Sequence, residues 1–462
     1  MTANIRFSSE ATGIVRQLSR AGYEAYIVGG AVRDYLLGKT PKDYDIATNA
    51  LPEDVRRVFG RRSCQIIGRR FRLALVHCGK NVYEVSTFRR EPSARERKGR
   101  KGDDGVMIWN DNAYGTLEDD VMRRDFTVNA LYANVLTGEI LDKCGGVKDI
   151  NARTVRMIGD PLVRFQEDPV RMLRALKLVG QHGLRLSRAV QTALHRLAPE
   201  IAKASRSRLF EEIVKILLGG HSVDVLMECH KHRLLEHFWP GLADNWGSEP
   251  WRMMIELMAL NDKENRDSHK DAPDRFIALA CVCLPYFLFR CDNAEPEPGM
   301  FPDGFEIPLE KCGIPLVQAR KICSGVVHEL FNGYIVSRDM QYDLQAVMVR
   351  VHMVLGGVMP RTRLPRVSYE YLHELLRLRS MVDGLGADAL LGMQLPLEYE
   401  QESNATDSLN LEQQLELSEL LAHSAKRPSR RRRRRKARKA GADAAVEAED
   451  CARDVETGEV TE

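Results

Sequence analysis

Two aspartates two positions apart, Asp43 and Asp45, lie downstream of a Gly-Gly pair, Gly29 and Gly30, in the stretch YIVGGAVRDYLLGKTPKDYDI from Tyr26 to Ile46. Side chains two apart on an extended chain point the same way, so these carboxylates are expected to converge. Like charges at close range raise each other's pKa, and such a pair calls for a cation. Hard carboxylate oxygens suit Mg²⁺, which is commonly held by one or two carboxylates together with substrate phosphates. Glycines just ahead of a helix let backbone N–H groups approach a phosphate. A phosphate cradle beside a metal clamp is the layout for transfer of a nucleotidyl group. Each half alone is weak, since Gly-Gly usually marks a turn and Asp-x-Asp a solvated loop; their order along the chain carries the reading.

The elements around them follow from pattern. Ala25 to Val28 reads as a strand ended by the glycines; Val32, Tyr35 and Leu36 recur at helical spacing until Gly38, and Pro41 leads into a second extended run. A helix over Phe7 to Arg20 has Ser8 and Ser9 as caps and Ile14, Val15 and Leu18 as its apolar face. Another begins at Pro52. Leu73 to His77 and Val82 to Phe88 read as a hairpin through Gly79, Lys80 and Asn81. Glu84 then shares a face with Val82, Ser86 and Phe88, either as an edge-strand surface residue or as a further acid. RRDFTVNALY, residues 123–132, reads as a loop turning into a helix that Asp125 could cap. DKCGGVKDI, residues 142–150, reads as a structural turn. A helix starting at Asp168 or Pro169 buries Val170, Leu173 and Leu176. Asp168 and Arg171, three apart, should share its surface, either as an ion pair or as an acid and a guanidinium that read the edge of a base.

In GGAVRD at 29–34 and DYDIAT at 43–48, the chain resembles the class II nucleotidyltransferases of the polymerase-beta-like superfamily, which comprise bacterial poly(A) polymerases and the CCA-adding tRNA enzymes. The resemblance implies an α+β fold. A nucleotidyltransferase head of mixed sheet and helices would span residues 1–155, an all-α neck 156–240, a helical body 241–400, and a linker with a disordered tail 401–462. It implies two Mg²⁺ ions on Asp43 and Asp45, with Glu84 or Asp125 as the third acid. Gly29, Gly30 and Arg33 would hold the triphosphate of ATP, and Arg124, Asp125 and Asn129 would position the nucleotide. Asp168 and Arg171 would select the base, with Glu167 and Arg174 as supports. SRSRLFEEIVKIL resembles the family's RNA-binding helices; past residue 240 the likeness loosens.

Within the family, IIGRRFRLALV at 66–76 resembles the poly(A) polymerase version of that strand pair. CCA-adding members usually carry a glycine soon after the phenylalanine, and around Leu73 there is none. The expected activity is therefore template-independent polyadenylation of RNA 3′ ends, with CCA addition as the alternative. An inactive RNA-binding protein is disfavoured by the intact Asp43, Asp45, Glu84 and Asp125. A small-molecule nucleotidyltransferase would have little use for the long helical body.

Composition sets the outer bounds. The 462 residues need two to four domains. Hydrophobic content of 44% and charged content of 29% are those of a globular protein. No apolar run approaches the ~18 residues that cross a bilayer, and MTANIRFSSE lacks a secretory pattern, so a cytoplasmic protein without a membrane partner is expected. Ten cysteines form no C-x-x-C pair. Cys281 and Cys283 read as core residues, and Cys229, His230, His232 and His237 match no zinc spacing. A formal net charge of +3 hides an asymmetry, since residues 426–439 hold eleven Lys or Arg and no acid. Arg430, Arg431, Arg432, Arg433, Arg434 and Arg435 repel one another and should stay disordered until they meet a polyanion such as RNA. RNA-decay proteins are a second expected partner of this tail. The basic stretch RERKGRKGDDG at 95–105 reads as a loop that could grip RNA or triphosphate.

Overall fold

Ser8 accepts a hydrogen bond from the Ala11 N–H at 3.4 Å and opens α1 (Ser9–Arg20), which buries Ile14, Val15 and Leu18. β1 (Ala25–Val28) follows and ends at Gly29, whose φ of +69° is a backbone that favours glycine. α2 (Gly30–Leu36) starts immediately and stops before Gly38, which also has positive φ. β2 (Asp45–Thr48), α3 (Pro52–Phe59), β3 (Cys64–Ile67), β4 (Leu73–Cys78) and β5 (Asn81–Thr87) come next, with Pro52 at the first position of its helix. The computed structural model describes residues 7–68, 72–91, 100–101, 107–108, 113–267, 274–296, 313–357 and 366–384. Arg430 to Arg435, all of 401–462 and most of the basic stretch at 95–105 lie outside the described residues.

β6 (Arg100–Lys101) and β7 (Met107–Ile108) pair with each other. Beyond α4 (Leu117–Met122) the chain adds β8 (Leu131–Asn134) and β9 (Glu139–Asp142) to the main sheet, whose order is β3-β4-β5-β2-β1-β8-β9. β2 pairs with β5 in parallel, whereas the other neighbours in this sheet run antiparallel. Val28, Ala47, Phe88, Val121, Ala130 and Tyr132 pack as one core cluster against the central strands.

The block at 123–132 departs from the expected loop and helix. Thr127–Asn129 makes a single 3-10 turn, and Leu131 then enters β8, which is bonded to β1 on one side and β9 on the other. Strand pairing on both edges satisfies the backbone there, so the apolar Phe126, Val128 and Leu131 are buried without a helix. Asp142, at the end of β9, accepts from the N–H groups of Cys144, Gly146 and Val147 at 3.2, 2.8 and 3.0 Å, which builds the turn into α5 (Gly146–Asn151). A Cβ on Gly146 would stand 2.3 Å from the Thr127 carbonyl oxygen, so glycine is needed for this turn to pack against the 123–134 segment.

After β10 (Thr154–Val155) the chain turns helical. α6 (Pro161–Glu167) and α7 (Val170–His182) precede β11 (Arg185–Leu186), which pairs with β10. From there the described residues build helices: α8 (Arg188–Leu197), α9 (Arg206–Leu217), α10 (Ser222–Lys231), the short α11 (Leu235–Phe238) and α12 (Pro240–Ala243), α13 (Glu249–Arg266) and α14 (Arg275–Asp292), then Leu316–Leu330, Arg338–Leu355 and Arg366–Val382. The α+β head and helical remainder expected from the sequence are thus present. Cys281 and Cys283 are fully buried in α14. Cys229 faces the core, His232 bonds to His195 at 2.9 Å and His230 stacks on Trp246, so the Cys-His cluster does not converge. No helix among the described residues is long and apolar enough to cross a membrane.

Candidate active site

The parallel register of β2 and β5 builds the floor. Ile46 stands opposite Val85 and Ala47 opposite Ser86, so one step back Asp45 lies beside Glu84. Ile46 and Val85 turn into the core, which leaves both carboxylates on the open face. Glu84 therefore sits on the cavity side of its strand, with Ser86, and not where an apolar side chain would pack. The protein around Asp45 raises its carboxyl pKa above the ordinary value, and the charges of Glu84 and then Asp43 raise it further against the pull of Arg124. The strand begins at Asp45, and Asp43 occupies the exposed approach to it. Asp43 thus precedes the strand, so strand alternation does not by itself set its direction relative to Asp45. Asp43 acts on Asp45 through its charge and is not among the residues lining the cavity.

Above the floor, the Gly29 N–H donates to the Leu131 carbonyl at 3.1 Å, which ties the glycine turn to β8. A Cβ on Gly29 would come within 3.3 Å of Arg124 Nη1, so the turn and the Arg124 guanidinium are in close approach. Arg124 is fixed from below: Nη2 pairs with Asp120 at 3.1 Å, and Nε donates to the Tyr132 hydroxyl at 2.7 Å. Tyr132 donates in turn to Asp120 at 2.5 Å, and Arg123 also pairs with Asp120 at 2.8 Å. Burial alone would raise the Asp120 pKa; Arg124 and Arg123 outweigh it and hold the carboxyl below its ordinary value. Arg33 Nη1 donates to Asn129 Oδ1 at 2.7 Å, joining α2 to the 3-10 turn.

Asp125 is buried. Its Oδ1 accepts from the Phe126 N–H at 2.8 Å, and its Oδ2 pairs with Arg174 Nη2 at 2.8 Å. Burial pushes this carboxyl up, but Arg174 and the Phe126 N–H together leave it below the ordinary value. Asp125 caps no α-helix, since a single 3-10 turn whose N-cap is Phe126 follows and then β8.

The opposite wall comes from α6 and α7. Asp168 sits in the extended break between these helices and pairs with Arg208 of α9 at 2.8 Å. Arg171 donates to the Arg164 carbonyl at 2.8 Å and to Glu167 at 3.1 Å. Asp168 thus stands just outside the helix that carries Arg171, because Pro169 restarts the helix after it. The Arg171 N–H donates to the Asp168 carbonyl at 3.1 Å and both residues line the same wall, while their side chains bond to other partners. Arg164, 7% exposed, donates to the carbonyls of Arg123 and Arg124 at 2.7 and 2.9 Å, and reaches Glu91 and Glu167 at 2.7 and 3.0 Å. It clamps the 123–125 segment to the wall that carries Arg171.

One cavity of about 930 Å³ collects these groups. It is lined by Gly29, Gly30, Arg33, Asp45, Glu84, Arg124, Asp125, Asn129, Asp168 and Arg171, that is, by every expected site residue except Asp43 and the tail arginines. Sequence reasoning missed Asp120, Arg164 and Arg208. Asp120, four before Arg124 on a helical turn, carried a readable signal; the other two carried none. No group of three or more His, Cys, Asp or Glu among the described residues stands close enough to hold a metal ion. The face offers two adjacent carboxylates, a number that fits the one or two Mg²⁺ takes when phosphate oxygens complete its shell.

A head of this topology, with such a face under a glycine turn, defines a nucleotidyltransferase of the polymerase-beta-like kind. The family model described as "Poly A polymerase head domain" matches residues 25–156, and "Probable RNA and SrmB- binding site of polymerase A" matches 183–245. Over 272 residues the chain is 41% identical to Poly(A) polymerase I of Haemophilus influenzae, covering 58% of this chain and 60% of that protein. It is 38% identical over 235 residues to the CCA-adding enzyme of Geobacillus thermodenitrificans, covering 51% and 55%. A solved tRNA-processing enzyme, apo form I, superposes with a TM-score of 0.53 at 21% identity, covering 86% of this chain and 93% of that one, and shows the shared fold. Residues 25–156 and 183–245 thus match two domain families of poly(A) polymerases, and the chain is similar in sequence to a bacterial poly(A) polymerase and to a CCA-adding enzyme. It spans about 60% of the length of the Haemophilus influenzae relative.

Proposed function

We propose that this protein is a poly(A) polymerase, transferring AMP from ATP to RNA 3′ ends without a template and releasing pyrophosphate. The observation that carries the reading is the single cavity in which the Asp45–Glu84 face lies under the Gly29 turn, with Asp168 and Arg171 on the facing wall. In this reading residues 1–155 do the chemistry, 156–240 select the base and grip RNA, 241–400 form the body, and 401–462 hold RNA backbone through Arg430 to Arg435. RNA-decay proteins are proposed partners.

Asp45 and Glu84 would hold Mg²⁺, with the charge of the nearby Asp43 adding to the pull on the cation. When bound, the two ions would lower the pKa of the RNA 3′-hydroxyl and offset charge on the phosphates. The backbone at Gly29 and Gly30 together with Arg33 would bind the triphosphate, and Arg124, braced by Asp120 and Tyr132, would position the nucleotide. The 3′-oxygen bonds to the α-phosphorus as the bond to the bridging oxygen of pyrophosphate breaks. Asp125, committed to Arg174, would orient Asn129 and the 123–129 segment, which leaves Glu84 as the third acid. Asp168 and Arg171 would read adenine, with Glu167 supporting Arg171. Leu73 lines the same cavity where CCA-adding members usually have a glycine nearby, and this favours the poly(A) reading over CCA addition.

The test is primer extension with Mg²⁺ on a generic RNA with each NTP alone, and on a tRNA lacking its CCA end. Long products from ATP and poor use of CTP are expected. Addition that halts after CCA on the tRNA would replace the poly(A) reading with the CCA one.

A further inference from the structure

A second cavity, of about 260 Å³, adjoins the first and shares Arg33, Asn129 and Arg174 with it. Its other wall is made by α7 and α9, which contribute Lys177, Glu212 and Lys215. Four cations face one carboxylate there, and their partners are unevenly distributed. Arg174 pairs with Asp125 and Arg33 with Asp34, each at 2.8 Å, while Lys215 has a looser pairing with Glu212 at 3.7 Å. Lys177 forms no ion pair among the described residues. An ammonium drawn out of water without a counter-ion is costly, and a site that keeps one is matched to an incoming anion. The volume falls below the roughly 300–1,000 Å³ of pockets for drug-sized ligands, which suits a bare phosphate group and not a whole nucleotide.

We infer that this second cavity is a phosphate subsite in which Lys177, with Lys215 and Arg33, binds the oxygens of a phosphate-type anion between α7 and α9. Two sources share that chemistry, the released pyrophosphate and the phosphodiester next to the RNA 3′ end. Naming them rests on the proposed AMP transfer; the binding itself does not. Burial lowers the Lys177 pKa to about 8; Glu212 works against that, and Lys215, Arg174 and Arg33 add to it. Anion affinity should therefore fall as pH rises through about 8 and Lys177 loses its charge.

The experiment titrates the full chain, without Mg²⁺, with inorganic pyrophosphate and separately with a short oligo(A) ending in a 3′-deoxynucleotide. Wild type, Lys177→Met and Lys177→Arg are compared. Lys177→Met should weaken one of the two ligands by about tenfold or more, flatten its pH dependence around 8, and melt at or above the wild-type temperature, because Met needs no counter-ion. Lys177→Arg should restore most of the affinity. Weakened pyrophosphate binding assigns the subsite to the leaving group, and weakened oligo(A) binding to the RNA backbone. Unchanged binding of both, or a Lys177→Met protein that melts well below wild type, overturns the inference. If the wild type adds no AMP yet Lys177→Met loses anion binding, the subsite stands and the polyadenylation reading falls.

Discussion

The Arg174→Met variant probes how the cavity is held together. Asp125 is 7% exposed, and removal of Arg174 leaves its Oδ2 with a negative charge and no cation, while Oδ1 keeps the Phe126 N–H. Removing one partner of a fully buried pair costs about 3–5 kcal/mol. Arg174 approaches from the cavity with its side chain 43% exposed, so water screens part of the attraction; the expected loss is about 2–3 kcal/mol. That corresponds to a fall in Tm of about 4–12 °C. The pH dependence fixes the cause. In the wild type the Asp125 pKa is depressed, so its contribution is present above the unfolded pKa and lost as pH falls through the folded one. In the variant that pKa rises above the unfolded value, so the penalty is largest near neutrality and shrinks as acid neutralises the carboxyl. Thermal unfolding at pH 7.5 and near pH 5, with Asp125→Asn added to Arg174→Met as the rescue, reads both. A loss under about 1 kcal/mol at pH 7.5, or one that does not shrink in acid, would refute the role given to this pair.

Asp45→Asn should abolish AMP transfer while RNA binding is nearly unchanged; a matching loss of RNA binding would make Asp45 a structural residue. Because the surrounding protein and then the charge of Glu84 raise the Asp45 pKa, protons should compete with Mg²⁺ at a higher pH than for an ordinary aspartate. Calorimetric Mg²⁺ titrations across pH should show that acid limb move to lower pH in Glu84→Gln. Deleting residues 426–462 should weaken RNA binding and flatten its salt dependence, by roughly 0.7 in log–log slope for each RNA phosphate that is no longer neutralised, without stopping single additions. An unchanged slope would remove the tail from RNA binding.

The strand, glycine turn and helix at 25–36 were legible because each boundary is set by neighbours in sequence: an apolar run, a residue free to take positive φ, and a stop. The helix at 52–59 and the hairpin at 73–87 were legible for the same reason. The segment from Phe126 to Asn134 was not, because its conformation is decided by β1 and β9, strands that lie far from it or follow it in the chain. Asp43 and Asp45 show a subtler limit. The alternation argument is sound for a strand, but where the strand starts is a matter of pairing with Val28 and Glu84's neighbour Val85, which sequence spacing does not reveal. Arg171, Arg174 and Lys177 recur at helical intervals along α7, so the cationic stripe was readable. What lay opposite it, α9 and the 123–129 segment, was not.

Arg164 and the Arg174–Asp125 pair also bear on how such proteins can be recombined. Both fasten the 123–125 segment to helices that lie after residue 155, through two carbonyls and a carboxylate. A chimera joined near residue 155 would keep both halves intact in sequence and still part every one of those fastenings unless the donor helices presented arginines at the same heights. On the proposed reading, in which Asp168 and Arg171 select the base, a graft meant to carry nucleotide preference would have to bring α6 and α7 together with the segment they hold, a joint between two halves and not either half.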